Sequence, residues 1–347
     1  MERFDAIVAG GGIAGSGLAT VLARNGLDVL VLEKTTEYTD INRGEAMWPW
    51  GAVIAHRIGL LPTLRGAGAH WVPRVRYWDP GLDGPEDNDL AGLHDEAEGS
   101  LNMAHHLARQ ALIDEAARAG ATVLRGATVT GLSTGSEPTI SWTDDKGDHT
   151  AATRLVVGAD GRNSVVRRPA GIELHKYPTS HYATGLRVFS EGIPTDVNTV
   201  SGHPDGRLLI TFPQGDGHSR VYLCFPTDQK HTYAGGGAVD RFLSDSAFPA
   251  VPDNEAWSGG RAAGPMSTYP CADADSHPLA PGVAVIGDAG GYNNYQIGQG
   301  LSLAMGDIEG LSNVLLGTDD WSPQGLLPFA EGRAEALGRV RALARLN

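Results

Sequence analysis

Cysteine is scarce in this chain: Cys224 and Cys271 are the only two among 347 residues, with no CxxC pair and no metal-ligand spacing around them. A disulfide framework and a thiolate metal site are therefore excluded, and two reduced thiols of a cytosolic protein are expected. Long apolar runs are missing too. No stretch reaches the roughly 18 residues that a membrane helix needs. No basic segment followed by an apolar one opens the chain, which argues against a signal peptide and for the cytoplasm. Positive charge is in deficit, with 27 Lys and Arg against 41 Asp and Glu, a net charge of −14. Nucleic acid and anionic membranes, which need basic patches, are thus poor partners. An anionic small molecule is not excluded, because backbone N–H groups and a few arginines can hold one locally.

What is present reads as a globular α/β chain. The hydrophobic share is 41% and the charged share 20%, ordinary values for a chain able to build one large unit with an inserted layer. Asp5–Ala9 is an unbroken apolar strand, Ile13–Asn25 a helix stopped by Gly26, and Asp28–Leu32 a second buried strand. Together they make a βαβ unit. Leu107–Ala119 has a helical apolar stripe ended by Gly120, and Ala121–Leu124 reads as a strand. Thr139–Trp142 and Thr153–Val157 flank the turn segment 144–148 and suggest a meander. From about Tyr182 to Thr227 longer strands dominate, including Arg207–Phe212 and Arg220–Phe225, and Ala238–Asp245 reads as a short helix. Gly282–Ile286 returns to a buried strand, followed by helical patterns over Gly300–Leu316 and Glu331–Leu346.

Three signals then recur, each a buried strand delivering a glycine or aspartate turn. The first is Gly10-Gly11-Gly12-Ile13-Ala14-Gly15, a GxGxxG between strand and helix. Gly10 permits the tight turn, Gly12 clears room for a pyrophosphate, and Gly15 lets the helix pack on the strand. The helix N-terminus adds unpaired N–H groups and a partial positive charge. Glu33 follows Gly15 by 18 residues and suits the hydroxyls of an unphosphorylated ribose. The second signal is Gly158-Ala159-Asp160-Gly161-Arg162-Asn163-Ser164-Val165-Val166-Arg167. The third is Gly287-Asp288-Ala289, followed by Gly298-Gln299-Gly300 at the start of a helix.

In that order the segments resemble the single-component FAD-dependent monooxygenases of the p-hydroxybenzoate hydroxylase type. Arg109 in Leu107–Leu112, Arg43-Gly44-Glu45, Pro49-Trp50-Gly51 and Ile58-Gly59-Leu60 extend the likeness to about residues 3–315. The resemblance implies a Rossmann-like FAD-binding domain with an inserted β-rich substrate layer. The expected limits are 1–175 with 271–320 for the FAD unit, 176–270 for the β layer and 321–347 for a C-terminal helix. By the same resemblance Gly10, Gly12, Ile13, Ala14, Gly15, Glu33 and Lys34 surround the ADP half, with Val129 beside it. Arg43 and Arg109 belong near the pyrophosphate and flavin, and Asp288 at the ribityl–pyrophosphate junction. Asp160 serves FAD and transient nicotinamide binding. Gly298, Gln299, Gly300 and Leu301 offer backbone N–H groups to the flavin pyrimidine edge.

The family chemistry so implied uses NADH or NADPH as reductant and O2 as co-substrate. One oxygen atom passes through a flavin C4a-hydroperoxide to an aromatic, enolic or alkene molecule bound between the flavin and a fairly apolar face of the β layer. Glu45, Tyr292 and Tyr295 are the ring-side candidates for proton transfer, Tyr292 and Tyr295 standing where many members have other residues. His105-His106 reads as a surface pair, and Trp48 and Trp50 read equally as stacking or core residues. A flavin reductase or dehydrogenase of the same fold, acting on a prenyl-type chain, would share all three signals, though no cysteine is expected near the flavin. A non-catalytic FAD-binding protein is the remaining alternative. The C-terminal helix needs a partner for its apolar face, within the chain or in a homodimer.

Overall fold

The computed structural model describes residues 1–41, 45–248, 255–294, 296 and 298–344. Its foundation is an eight-stranded sheet whose main path runs Leu279–Ala280, Val283–Val285, Gly147–Gly158, Glu2–Ala9, Val29–Glu33, Thr122–Arg125. From Val283–Val285 to Thr122–Arg125 the neighbours are parallel. The antiparallel strands Thr139–Asp144 and Thr128–Ser133 extend it from the Gly147–Gly158 strand. Val29–Glu33 is buried at every position, which explains the unbroken apolar run of Val29–Leu32: packing covers both faces. Helices Ile13–Arg24, His105–Arg118 and Gly300–Gly317 contribute to the core on one face, with Leu18, Leu22, Leu112 and Ile308 fully or almost fully buried. Ile7, Leu30, Val156 and Trp142 build a second core on the other.

A second eight-stranded sheet is ordered Arg261–Ala262, His181–Phe189, His218–Pro226, Leu208–Gly215, Val197–Gly202, Arg74–Trp78, Glu86–Asp89, with Ser267–Cys271 also paired to His181–Phe189. The strands Arg74–Trp78 and Glu86–Asp89 come from a stretch that the sequence reading left unassigned. Arg74 and Arg76 pair with Asp87 across the two strands. One face of this sheet carries Ile210, Phe212, Tyr222, Cys224 and Cys271. Both thiols are buried and unbridged. They pack with the residues that face the cavity described below, although the sequence placed no cysteine in that neighbourhood.

Two buried polar groups tie the pieces together. Asn102 donates to Asn198 Oδ1 at 2.8 Å and to the Pro213 carbonyl at 2.9 Å, joining the small sheet of Ala46–Met47, Ser100–Asn102 and His70–Val72 to the second large sheet. Helix Leu327–Ala344 docks through Phe329, Leu337 and Val340, all buried within this one chain. Its Arg333, 7% exposed, pairs with Asp307 of helix Gly300–Gly317 at 3.1 Å and donates to the carbonyls of Gly287, Gly290 and Gly291. Burial pushes the Asp307 carboxyl up, against the pull of Arg333 and the Gly287 N–H.

Removing one partner of a buried pair strands the other. Arg333→Ala is expected to lower the unfolding free energy by about 3–5 kcal/mol, read from denaturant midpoints. The double variant Asp307→Asn/Arg333→Met should recover a large part of that loss. A single-variant loss below about 1 kcal/mol would show that the pair is not holding the helix.

Candidate cofactor and substrate site

Each of the three turn signals leaves the carboxyl end of a parallel strand. Gly10, at φ 105°, donates its N–H to the Leu32 carbonyl at 2.8 Å. A Cβ there would stand 2.5 Å from the Ala159 carbonyl oxygen, and one on Gly15 would stand 2.0 Å from the Gly10 oxygen. Both positions are closed to larger residues. Gly12 is the contrast: nothing lies within 4 Å of its missing side chain. It is also the N-cap of helix Ile13–Arg24, with no side chain capping the first-turn N–H groups. The loop thus leaves an open cradle against a helix N-terminus, which fits the pyrophosphate of a dinucleotide.

Glu33 braces this loop. Its Oε2 accepts the Gly11 N–H and its Oε1 the Thr35 N–H, each at 2.7 Å. The Tyr38 hydroxyl donates to the Gly11 carbonyl at 2.6 Å, while the guanidinium groups of Arg109 and Arg125 lie over its ring at 3.9 and 4.5 Å. Burial and the charge of Glu33 push the Tyr38 phenol far up, so it remains a donor.

In the second loop Asp160 Oδ2 accepts the Val165 N–H at 2.6 Å, and Ser164 Oγ accepts the Arg167 N–H at 2.9 Å. Arg167 then reaches across to the third loop, donating to the Ala289 carbonyl at 2.7 Å. Arg162 Nε stands 3.1 Å from Asp288 Oδ2, and its guanidinium lies 4.3 Å from the centre of the Tyr292 ring. Beyond it, the loop of residues 298–300 is held by helix Pro49–Arg57. Trp50 Nε1 donates to Gln299 Oε1 at 2.9 Å, and the Trp48 N–H donates to Ser302 Oγ at 3.0 Å.

The loops surround a cavity of about 510 Å³, within the range of sites for sizeable small molecules. Gly10, Gly12, Ile13, Ala14, Glu33 and Lys34 line it from the first signal. Arg109 of helix His105–Arg118, Val129 of strand Thr128–Ser133, Asp160, Asp288 and Tyr292 also line it, with Gly298, Gly300 and Leu301 at another side. Gly15 lies behind the glycine loop, against Gly10. Gln299 is turned toward Trp50, so both stand outside the lining. Arg43 and Tyr295 fall outside the described residues.

The wall opposite is formed by Ile210, Phe212, Tyr222 and Tyr269 of the second sheet, together with Glu45 and Ala46. Glu45 is buried: Tyr222 donates to its Oε2 at 2.6 Å, and Arg220 Nε lies 3.1 Å from its Oε1. Burial pushes the Glu45 carboxyl up despite the pull of Arg220 and the Tyr222 hydrogen bond. His105 lines the cavity and is half-buried, unlike the surface pair expected from sequence. His106, also half-buried, stands 3.9 Å from Asp40, and burial pushes its imidazole down. Sequence reasoning missed Tyr38, Arg162, Tyr222, Arg220 and Arg333. Only the Ser-x-x-Arg spacing hinted at Arg167.

The comparisons with known proteins agree with this architecture. A family model described as an FAD binding domain matches residues 3–328. A probable 2-heptyl-3-hydroxy-4(1H)-quinolone synthase of Rhodococcus erythropolis is 26% identical over 328 residues, covering 91% of this chain and 80% of that protein. Rifampicin monooxygenase of Streptomyces venezuelae is 29% identical over 341 residues, covering 93% of this chain and 66% of its own length. The solved p-nitrophenol 4-monooxygenase of Pseudomonas putida superposes with a TM-score of 0.81 at 21% identity, over 96% of this chain and 85% of that one. At that identity the likeness speaks for the fold.

The open cradle gives a clean test. Nothing lies within 4 Å of a Cβ on Gly12, so Gly12→Leu is expected to be accommodated while filling the space above the helix N-terminus. It should weaken FAD binding by about 100-fold or more while leaving the melting temperature of the FAD-free protein unchanged. Fluorescence titration and thermal melts read the two effects separately. Wild-type affinity in this variant would contradict the assignment of the cradle.

Proposed function

We propose that this chain, which belongs to the FAD-binding-domain family through its match over residues 3–328, is an FAD-dependent monooxygenase that uses NADH or NADPH and O2. The observation that supports this most strongly is one cavity shared by the open Gly12 cradle, the Asp160 and Asp288 loops, and an aromatic sheet wall. Relatives of similar extent are named as a rifampicin monooxygenase and a hydroxyquinolone synthase. The substrate proposed here is accordingly an aromatic, enolic or alkene small molecule.

In this reading the backbone at Gly10–Gly12 and the N-terminus of helix Ile13–Arg24 hold the pyrophosphate. Glu33, already rigid through Gly11 and Thr35, presents its remaining lone pairs to the adenosine ribose, and Lys34 and Val129 flank it. Arg109 balances phosphate charge. Asp288 takes the ribityl hydroxyls once Arg162 shares or yields its contact, and Gly298, Gly300 and Leu301 present N–H groups to the ring edge. FAD bound there supplies the redox centre, accepting hydride from the nicotinamide and activating O2 so that one atom enters the substrate and the other leaves as water. Ile210, Phe212, Tyr222 and Tyr269 exclude water from the reacting face. Glu45, which faces Arg220 and accepts from Tyr222, and Tyr292 are the groups placed to accept or relay a proton at the substrate. The cofactor unit comprises about 1–175 and 271–320 apart from the strands Arg74–Trp78 and Glu86–Asp89, which join the second sheet on the substrate side.

The test is oxygen and nicotinamide consumption by the FAD-loaded protein. NADH or NADPH should bleach the flavin, and substrate addition should raise O2 uptake with an oxygenated product formed in step. Bleaching without oxygen transfer would assign a reductase or dehydrogenase. A bound flavin that no nicotinamide reduces would leave a non-catalytic FAD-binding protein.

A further inference from the structure

The charges beside the aromatic wall are layered. Arg187 and Arg220 are direct neighbours across adjacent strands, and both carry Asp40 as an opposite charge. Arg220 is 1% exposed, with Nη2 at 2.6 Å from Asp40 Oδ1 and Nε at 3.1 Å from Glu45 Oε1. None of Arg187, Arg220 and Asp40 lines the cavity, whereas Glu45 and Tyr222 do. Both cations therefore stand behind the lining, Arg220 paired to Asp40 and Glu45, and among the described residues the surface offered to a ligand on this side is a carboxylate and a phenol oxygen. The phenol's own proton is engaged by Glu45 at 2.6 Å, so the pair shows hydrogen-bond acceptors. Among the described lining residues, and His105 aside, Glu45 is the one carboxylate or cation on this side. The charged groups Glu33, Lys34, Arg109, Asp160, Arg162 and Asp288 belong to the cofactor end or to the loops around it.

We propose that Glu45 and Tyr222 select substrates by charge. The site takes an uncharged planar aromatic or enolic molecule whose O–H or N–H donates to this pair, and it turns away molecules that carry a carboxylate there. This assignment rests on the reading that the cavity holds FAD with substrate beside it. Its physical basis is that, among the described residues, no arginine or lysine lines this side of the cavity. A ligand carboxylate would stand next to Glu45 in a water-poor site, where like charges repel strongly. A donor would instead add a hydrogen bond to acceptors that are already oriented.

The experiment is a binding titration on the FAD-loaded, oxidised protein with a matched pair of probes, a naphthol and the same naphthol bearing a carboxylate. Perturbation of the bound-flavin spectrum is the readout. In the wild type the carboxylated probe should bind at least about tenfold more weakly than the naphthol. Glu45→Gln leaves Arg220 with one carboxylate fewer, so the carboxylated probe should gain at least about tenfold relative to the naphthol. Tyr222→Phe keeps the Glu45 charge, so naphthol binding should weaken while the carboxylated probe stays rejected. Should Glu45→Gln not fold, the wild-type ratio and Tyr222→Phe decide the matter. A wild type that binds the carboxylated probe as tightly, or binds neither probe, overturns the proposal, as does an unchanged ratio in folded Glu45→Gln. Protein that takes up no FAD overturns the reading beneath it as well.

Discussion

Three backbone hydrogen bonds at the carboxyl edge of the parallel sheet set the position of everything else. Gly10 N–H bonds to the Leu32 carbonyl at 2.8 Å, Ala159 N–H to Ala9 at 2.8 Å, and Ile286 N–H to Gly158 at 2.9 Å. Each fastens the first residue of a turn to the end of the neighbouring strand. In register, Ala9 faces Gly158 and Gly158 faces Val285, so three loops far apart in sequence leave the sheet along one line. Strands buried on both faces cannot slip without moving apolar side chains and breaking these bonds. A crevice beyond the carboxyl ends of parallel strands is where α/β sheets bind nucleotides, and the glycine and aspartate turns occupy that edge.

Buried charge then fixes the loops relative to one another. Arg167 spans the second and third loops, and Arg333 gathers Asp307 with the carbonyls of Gly287, Gly290 and Gly291. On the substrate side Arg220 couples Asp40 and Glu45, from the segment beside the first domain's helices, to the second sheet. Such pairs contribute little net stability because desolvation offsets much of their attraction. What they supply here is position, since each guanidinium has several donors in a rigid plane and contacts more than one segment of the chain.

The parts of this plan carried by local pattern were legible in the sequence. The strand Glu2–Ala9, the glycine turn, helix Ile13–Arg24 and strand Val29–Glu33 follow from an apolar run, three glycines and a helical stripe within one short stretch. The helix Ala238–Asp245 was readable to the residue. Elements whose partners are distant were not readable. Glu86–Asp89 looks like polar loop sequence and becomes a strand by pairing antiparallel with Arg74–Trp78, which itself joins the edge of Val197–Gly202 in parallel register. Glu45 stood out as a ring-side carboxylate, yet its partners Tyr222 and Arg220 lie about 175 residues away in sequence. An arginine carries no local mark of its partners, whether in a strand as Arg220, in a helix as Arg333 or in a turn as Arg162, so these three could not be told from surface residues. The half-buried state of His105 has the same origin, because a helix start that is polar by sequence carries no mark of what packs against it.

The account stands or falls on where FAD lies, and a crystal structure of the FAD-loaded protein is its most direct test. It should show the pyrophosphate over Gly12 at the N-terminus of helix Ile13–Arg24, the ribityl chain beside Asp288, and the ring between the loop of residues 298–301 and the face bearing Tyr222 and Tyr269. Electron density for FAD elsewhere, or a cavity that stays empty at saturating FAD, would contradict it.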